Sequence, residues 1–248
     1  MSIRQGMAFT AAPLVLRVIL GITFVWVGLS KLRAMEHVGP DDAARLANVG
    51  ALEPTPVSDQ NNGQSMPLVA PVDLNDGQAV RLLKTAADFP QGADVRRMHT
   101  EITLRLLKGT EPRIESDGRE GRAIWPAWAG GSHTVLLAWV ATVTAIAGGV
   151  CCSLGLLTRL WAGALTLQMA TALWLTTLGP AWSSGRTVLG VLPDHAPWDF
   201  SFWMYPAWLF SLLGMSAALA LLGPGPLSLD RPLLGAPSSG RQTSRPTA

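Results

Sequence analysis

Few residues of this chain have the type and spacing needed to hold a metal or a redox cofactor. The two cysteines, Cys151 and Cys152, are adjacent, and no CxxC or Cys/His metal spacing is present. We expect both to be small buried thiols in a membrane helix. The four histidines, at positions 37, 99, 133 and 195, lie outside the centres of the apolar stretches. Because haem between membrane helices needs axial ligands at depth, haem is not predicted. We interpret His99 and Glu101 as solvated helix residues rather than ligands.

A quinone pocket is the one cofactor site that the sequence leaves open. Such a pocket needs apolar walls and one or two hydrogen-bond donors, which Arg17, Trp26 and Gln168 could contribute. For Gln168, a hydrogen bond between helices is the favoured alternative to a ligand contact. No iron–sulfur, flavin or dinucleotide motif appears. We therefore predict no catalytic residue, no metal and no intrinsic cofactor.

The stretch 13–32, PLVLRVILGITFVWVGLSKL, predicts the first membrane helix. At about 1.5 Å per residue it is long enough to span a hydrocarbon core of about 30 Å. At about 100° per residue, five special residues fall within roughly 40° of one direction: Arg17, Gly21, Phe24, Gly28 and Lys31. Small residues on one face allow close approach of another helix. We expect a retained membrane anchor with a packing face rather than a cleaved signal peptide.

Three further apolar stretches, 134–157, 160–178 and 202–222, predict membrane helices. With 48% hydrophobic and only 15% charged residues, the composition agrees. The predicted fold is all-α: an up-down bundle of four transmembrane helices with a polar, partly helical insert after the first. Its parts are the N-terminus and first helix (1–34), the insert (35–130), helices two to four (131–232) and a flexible basic tail (233–248).

The insert predicts amphipathic helices at 41–49, 77–88 and 94–108. Large apolar residues are too few for an independent core, so we expect it to rest on the membrane part or on a partner.

The placement of charged residues and tryptophans predicts a membrane environment and the orientation of the chain in it. A net charge of +2 without a basic stripe argues against nucleic-acid binding. Several of the ten tryptophans end apolar runs, as in an interfacial belt. Basic residues near the span ends favour cytoplasmic termini and an extracytoplasmic insert. In that topology Arg17, Arg159 and Asp230 lie near one interface, and we expect Asp230 to pair with one of the two arginines.

Three motifs resemble the DoxX family and its relative DoxD, which are small four-helix bacterial membrane proteins. They are LRVILGITFVWVGLSKL, GGVCCSLGLLTRLWAG and GPGPLSLDR, and the resemblance covers about 1–34 and 130–232. The family pattern maps onto Arg17, Gly21, Gly28, Lys31, Gly149, Gly155, Thr158, Arg159, Gly223, Gly225, Ser228, Leu229 and Asp230. The chain departs from it in the long insert and in TAIAGG, which lacks the acidic residue that many members carry before the paired glycines. That loss argues against a proton-handling role.

The resemblance implies a bacterial inner-membrane protein linked to quinone-dependent oxidoreductase complexes. Together with the missing cofactor ligands, it favours a non-catalytic subunit of a larger membrane complex, respiratory or otherwise redox-linked. The alternative is a quinone-interacting subunit of a DoxD-like, thiosulfate:quinone type oxidoreductase. A small-molecule permease is the third hypothesis, although it predicts broken helices or intramembrane acids. The expected partners are the lipid bilayer and other subunits.

Overall fold

The computed structural model describes residues 3–52, 83–112, 121–223, 225 and 228–229, with side chains from Ala11 onward. The elements in chain order are α1 (Ile3–Arg33), β1 (Met35–Val38), α2 (Pro40–Asn48), β2 (Ala93–Arg96), α3 (Leu104–Thr110), α4 (His133–Leu154), α5 (Thr158–Leu173), α6 (Gly179–Ser184), β3 (Thr187–Val188), β4 (Leu192–Pro193) and α7 (Phe200–Leu222). Short 3₁₀ turns lie at Ala86–Asp88 and Ala127–Ala129, and π-helical segments at His99–Thr103 and Trp174–Leu178.

The long helices α1, α4, α5 and α7 share one apolar core. Each contributes fully buried side chains, for example Leu20 from α1, Cys152 from α4, Leu165 from α5 and Leu219 from α7. Helix α1 packs against α4 and α7, and α5 packs against the same two helices. The four helices therefore surround a common centre, with α1 and α5 at opposite corners.

Among the described residues, three helices are long and apolar enough to cross a membrane: the Ala11–Arg33 part of α1, then α4 and α7. In each, only about a third of the most apolar window is buried inside the protein, at 33%, 33% and 28% respectively. The remaining apolar surface faces outward, which suits lipid. Helix α5, predicted as the third span over 160–178, has only 16 residues of regular α-helix before the π-helical segment begins.

The turn between α4 and α5 lies earlier than the sequence predicts. Helix α4 ends at Leu154, and Gly155 ends it in the left-handed region at φ 72°. Leu157 also has a positive φ, and Thr158 already begins α5. The second helix therefore stops before the predicted limit of 157, because a left-handed residue after the last helical turn closes the free carbonyls and ends the helix.

The described part of the insert is a small folded head that contains a strand pair as well as the helical segments expected. Strands β1 and β2 pair antiparallel, so the helix predicted over 94–108 is wrong at its start: Ala93–Arg96 is a strand. The helix predicted at 41–49 is confirmed as α2. Of the helix predicted at 77–88, only a 3₁₀ turn over the last three positions is described, and residues 77–82 lie outside the described residues.

A small apolar cluster holds this head together. Its buried members are Val38, Ala43, Ala44, Leu46, Phe89, Val95 and Leu104. The expectation that the insert lacks a core of its own is therefore wrong for this part, although two of the seven members are alanines. The head also packs on α4 through His99–Thr103, as expected of an insert that rests on the membrane part.

The connection from α5 to α7 has regular structure of its own. The π-helical segment Trp174–Leu178 leads into α6, and β3 and β4 then form a short hairpin. This hairpin and the β1–β2 ribbon are the exceptions to the all-α prediction among the described residues.

Candidate functional site

The predicted packing face of α1 meets α4 at very short range. Arg17 and Phe24 are 2% and 1% exposed. A Cβ atom added at Gly21 would lie 2.7 Å from the carbonyl oxygen of Gly149, and one at Gly28 would lie 2.5 Å from Cγ1 of Ile146. The burial of this face and its contact with α4 confirm it as a helix-packing face.

The residues of the family pattern at the other end of the bundle also lie close together. The Arg17 side chain lies against Gly155, where an added Cβ would sit 2.6 Å from Nη1. Arg159 covers Gly223, which has a φ of 82° and would bring a Cβ to 2.9 Å from Nε. Glycine is required at both positions, because each combines a left-handed backbone with a covering guanidinium.

Other residues of the family pattern pack at the same end of the bundle, close to Gly155 and to the start of α1. Ser228 also borders Gly155, and Gly225 lies over Pro13 of α1. Thr158 is fully buried at the start of α5. Asp230, the expected partner of Arg17 or Arg159, lies outside the described residues, so the pairing stays a prediction.

The three quinone candidates do not form one site. Trp26 is 75% exposed on the outer side of α1. Arg17 lies at the end of the bundle beside Gly155, whereas Gln168 lies on α5 at the opposite corner from α1. Oε1 of Gln168 is buried, with no hydrogen-bond partner among the described residues.

A charged cluster joins the head to the end of α1. Nζ of Lys31 lies 3.5 Å from Oε2 of Glu101, and Nε of Arg97 donates to Oε1 of the same carboxylate at 2.6 Å. The side chains of Lys31 and Glu101 are only 15% and 24% exposed. Glutamate pairing and hydrogen bonding raise the pKa of Arg97. The interpretation of Glu101 as a solvated residue is therefore wrong, since its carboxylate bridges the head and α1.

His99 is likewise buried rather than solvated, with 7% of its surface exposed. Its Nδ1 lies 3.2 Å from Oγ1 of Thr103. Burial, and secondarily the charge of Arg96, lower the pKa of the imidazole. The residue is therefore a neutral packing element under the head. Across the described ranges, no three His, Cys, Asp or Glu residues come together to hold a metal ion.

A cavity of about 310 Å³ opens where the head meets the bundle. Its walls come from α3, the 121–125 segment, the helical extension of α5 and the N-terminal part of α7. Three cationic side chains line it, Arg105, Lys108 and Arg122, against one acid, Glu111. Thr176, Ser183 and Tyr205 also line it.

Ile124 fixes the shape of this cavity by joining three elements. The backbone N–H groups of Ile124 and Trp125 both donate to the carbonyl of Gly109, at 3.0 and 2.9 Å. The carbonyl of Ile124 accepts from Nε1 of Trp174 at 3.0 Å. The Ile124 side chain is close to both Gly109 and Gly179, at 3.2–3.3 Å from where their Cβ atoms would lie. These contacts tie α3 to the π-helical segment, and such segments are frequent at functional sites.

The sequence did not predict this cavity because its residues come from distant parts of the chain. Arg105 and Tyr205 are one hundred positions apart, yet Nη1 of the arginine lies 3.4 Å from the phenolic oxygen. The available signal was the excess of basic residues over 96–122, which no local spacing connects to Tyr205.

No protein-family model matches the chain, and no curated protein and no solved structure is significantly similar to it.

Proposed function

We propose that this chain is a multi-pass protein of a bacterial inner membrane and acts as a non-catalytic subunit of a larger, redox-linked membrane complex. In this proposal α1, α4, α5 and α7 all cross the bilayer, the termini are cytoplasmic and the head is extracytoplasmic. The observation that carries the proposal is the single core shared by four helices whose outer sides remain apolar.

The third span of this proposal rests on the helical extension of α5. The chain is helical without a break from Thr158 through the π-helical segment to Ser184 at the end of α6. That run exceeds the roughly 20 residues that a membrane helix needs. The outer residues Leu160 and Leu167 are 64% and 70% exposed, as suits lipid contact.

Tryptophans at the head end support the same placement. Trp128 and Trp198 are 81% and 94% exposed, and Trp182 is 40% exposed. Indole rings concentrate at the boundary between hydrocarbon and water. The exposed rings therefore mark the level at which the bilayer would end.

The docking of the head on the bundle supports a role as a subunit. The Lys31–Glu101 pair and the buried contacts of His99–Thr103 hold it against α1 and α4. A fixed head outside the bilayer offers a surface for other subunits, in agreement with the DoxX resemblance.

Purification in a mild detergent tests this function directly. The chain should elute with other membrane proteins in fixed stoichiometry, identified by mass spectrometry of the peak. Elution of the chain alone, at every detergent concentration that preserves its fold, would contradict the role as a subunit.

A quinone-interacting role is the second candidate, favoured by the buried Oε1 of Gln168. A buried amide oxygen in an apolar bundle needs a hydrogen-bond donor, and a hydroxyl of the reduced quinone, the quinol, could supply one. Organic extraction of the purified chain should then yield quinone, and Gln168→Leu should reduce that yield. An equal yield from the variant would contradict a pocket at this residue.

A further inference from the structure

The cavity between head and bundle carries positive charge that the described residues do not neutralise. Lys108 pairs with Asp42 at 3.0 Å, and Glu111 pairs with Arg45 at 2.6 Å, so these charges are compensated locally. Neither Arg105 nor Arg122 forms an ion pair with any residue in the described ranges. Arg105 and Arg122 thus line one cavity, and the acid that lines it with them among the described residues, Glu111, is already paired with Arg45.

We propose that this cavity binds an oxyanion, a phosphate or carboxylate group, between Arg105 and Arg122. Guanidinium groups are suited to such anions because their planar N–H donors match two oxygen atoms at once. The phenol of Tyr205 accepts from Arg105 and can donate its own proton to the anion, whereas the hydroxyls of Thr176 and Ser183 donate to the carbonyls of Ala172 and Pro180. The volume of about 310 Å³ accommodates a small anion or a lipid headgroup.

The arginines are held in place before any ligand arrives. The guanidinium carbon of Arg122 lies 5.5 Å from the ring centre of Trp182, a cation–π arrangement that leaves its N–H groups able to donate. Arg105 is oriented towards the Tyr205 hydroxyl. Since the Ile124 junction fixes the neighbouring backbone, little ordering is required when the anion binds.

The cavity wall also has an apolar part, which bears on whether the anion belongs to a lipid or to a soluble molecule. Ile124, Leu175 and Pro180 line the same cavity, which lies at the head end of the bundle. The group could therefore belong to an anionic phospholipid at the membrane surface or to a small soluble molecule. In both cases the anion would bridge α3 of the head and the bundle.

Thermal unfolding of the full chain in detergent, followed by circular dichroism, tests this site. The probes are inorganic phosphate and a short-chain phosphatidylglycerol, with chloride at equal ionic strength and a short-chain phosphatidylcholine as controls. We expect at least one probe to raise the unfolding temperature in a saturable manner, because a ligand that binds only the folded state stabilises it. A headgroup site responds to phosphatidylglycerol alone, whereas a site for a free anion responds to phosphate.

Matched variants distinguish the site from a general charge effect. Arg105→Gln and Arg122→Gln should each raise the half-saturating concentration about tenfold or more, since each removes charged hydrogen bonds. Arg96→Gln removes the same charge from an exposed position outside the cavity and should bind as the wild type does. Glu111→Gln should bind the probe more tightly.

Two results would overturn the proposal. One is an unfolding temperature that neither probe raises in the wild-type chain. The other is an Arg96→Gln variant weakened as much as Arg105→Gln and Arg122→Gln. Because the assay reports binding to the single chain, its outcome is separate from whether the chain is a subunit.

Discussion

Gly21→Ala should separate α1 from α4, because the added methyl group has no space. The new Cβ would lie 2.7 Å from the carbonyl oxygen of Gly149 and closer still to Oγ of Ser153. The serine hydroxyl can rotate away, but the Gly149 carbonyl belongs to the helix backbone. Since non-bonded atoms of this size prefer about 3.5 Å, the two helices must move apart by about 0.8 Å.

The cost of this separation can be set against the gain in helix propensity. Overpacking of a close contact costs about 1–3 kcal/mol. Replacing a helical glycine by alanine returns about 1 kcal/mol. Because the obstacle is backbone, we take the upper half of the overpacking range and expect a net loss of about 1–2 kcal/mol in the free energy of unfolding.

Gly214→Ala in α7 provides the matched control. Of the residues that the structure describes, none outside its own helix neighbourhood has a heavy atom within 4 Å of the Cβ that would be added there. The free energy of unfolding of this variant should rise by about 0.5–1 kcal/mol, through the higher helix propensity of alanine alone. Reversible unfolding in mixed micelles, followed by circular dichroism, measures both. Equal stability of the two variants would refute the close contact between α1 and α4.

Two further predictions concern the head. Glu101→Gln should weaken the docking of the head by about 1–3 kcal/mol, because it leaves the largely buried Lys31 without its carboxylate. Limited proteolysis should then cleave the head faster than in the wild type. The control Asp94→Asn removes an exposed carboxylate and should leave the cleavage rate unchanged. Lowering the pH through about 6.5 should also loosen the head, because the lowered pKa of His99 means that the unfolded chain binds a proton that the folded chain does not. The stability contribution of His99 is therefore complete above that pH and falls below it. His99→Gln should remove this part of the pH dependence, measured as hydrogen exchange of residues 97–110. A pH profile that the substitution leaves unchanged would contradict the buried neutral imidazole.

The packing face of α1 could be predicted from sequence because it depends on local periodicity alone. Gly21 and Gly28 are separated by two helical turns, so their shared direction follows from helix geometry without knowledge of any partner. The same reasoning located α4 and α7 to within about three residues. The third span was harder, since the change to π-helical hydrogen bonding at Trp174 has no clear signature in the residues themselves.

The head and its cavity depend on contacts between distant residues, which periodicity does not reveal. Val95 and Met98 fit a helical stripe, yet pairing of Ala93–Arg96 with Met35–Val38 makes the first part a strand. His99 and Glu101 looked solvated because their polar types suit a surface. Their burial results from the docking of the head on α1 and α4, and only the tertiary structure shows it.

Cysteine labelling in intact spheroplasts tests the central claim, that four helices cross the membrane, most directly. In a background with Cys151 and Cys152 replaced by alanine, single cysteines at Leu83, Leu189 and Ser244 sample the head, the β3–β4 turn and the tail. Leu83 and Leu189 are 77% and 89% exposed, so both cysteines can react. If α5 crosses the bilayer, an impermeant maleimide should label positions 83 and 189 before lysis and position 244 only after it. Labelling of positions 83 and 189 from opposite sides of the membrane would contradict the four-span bundle.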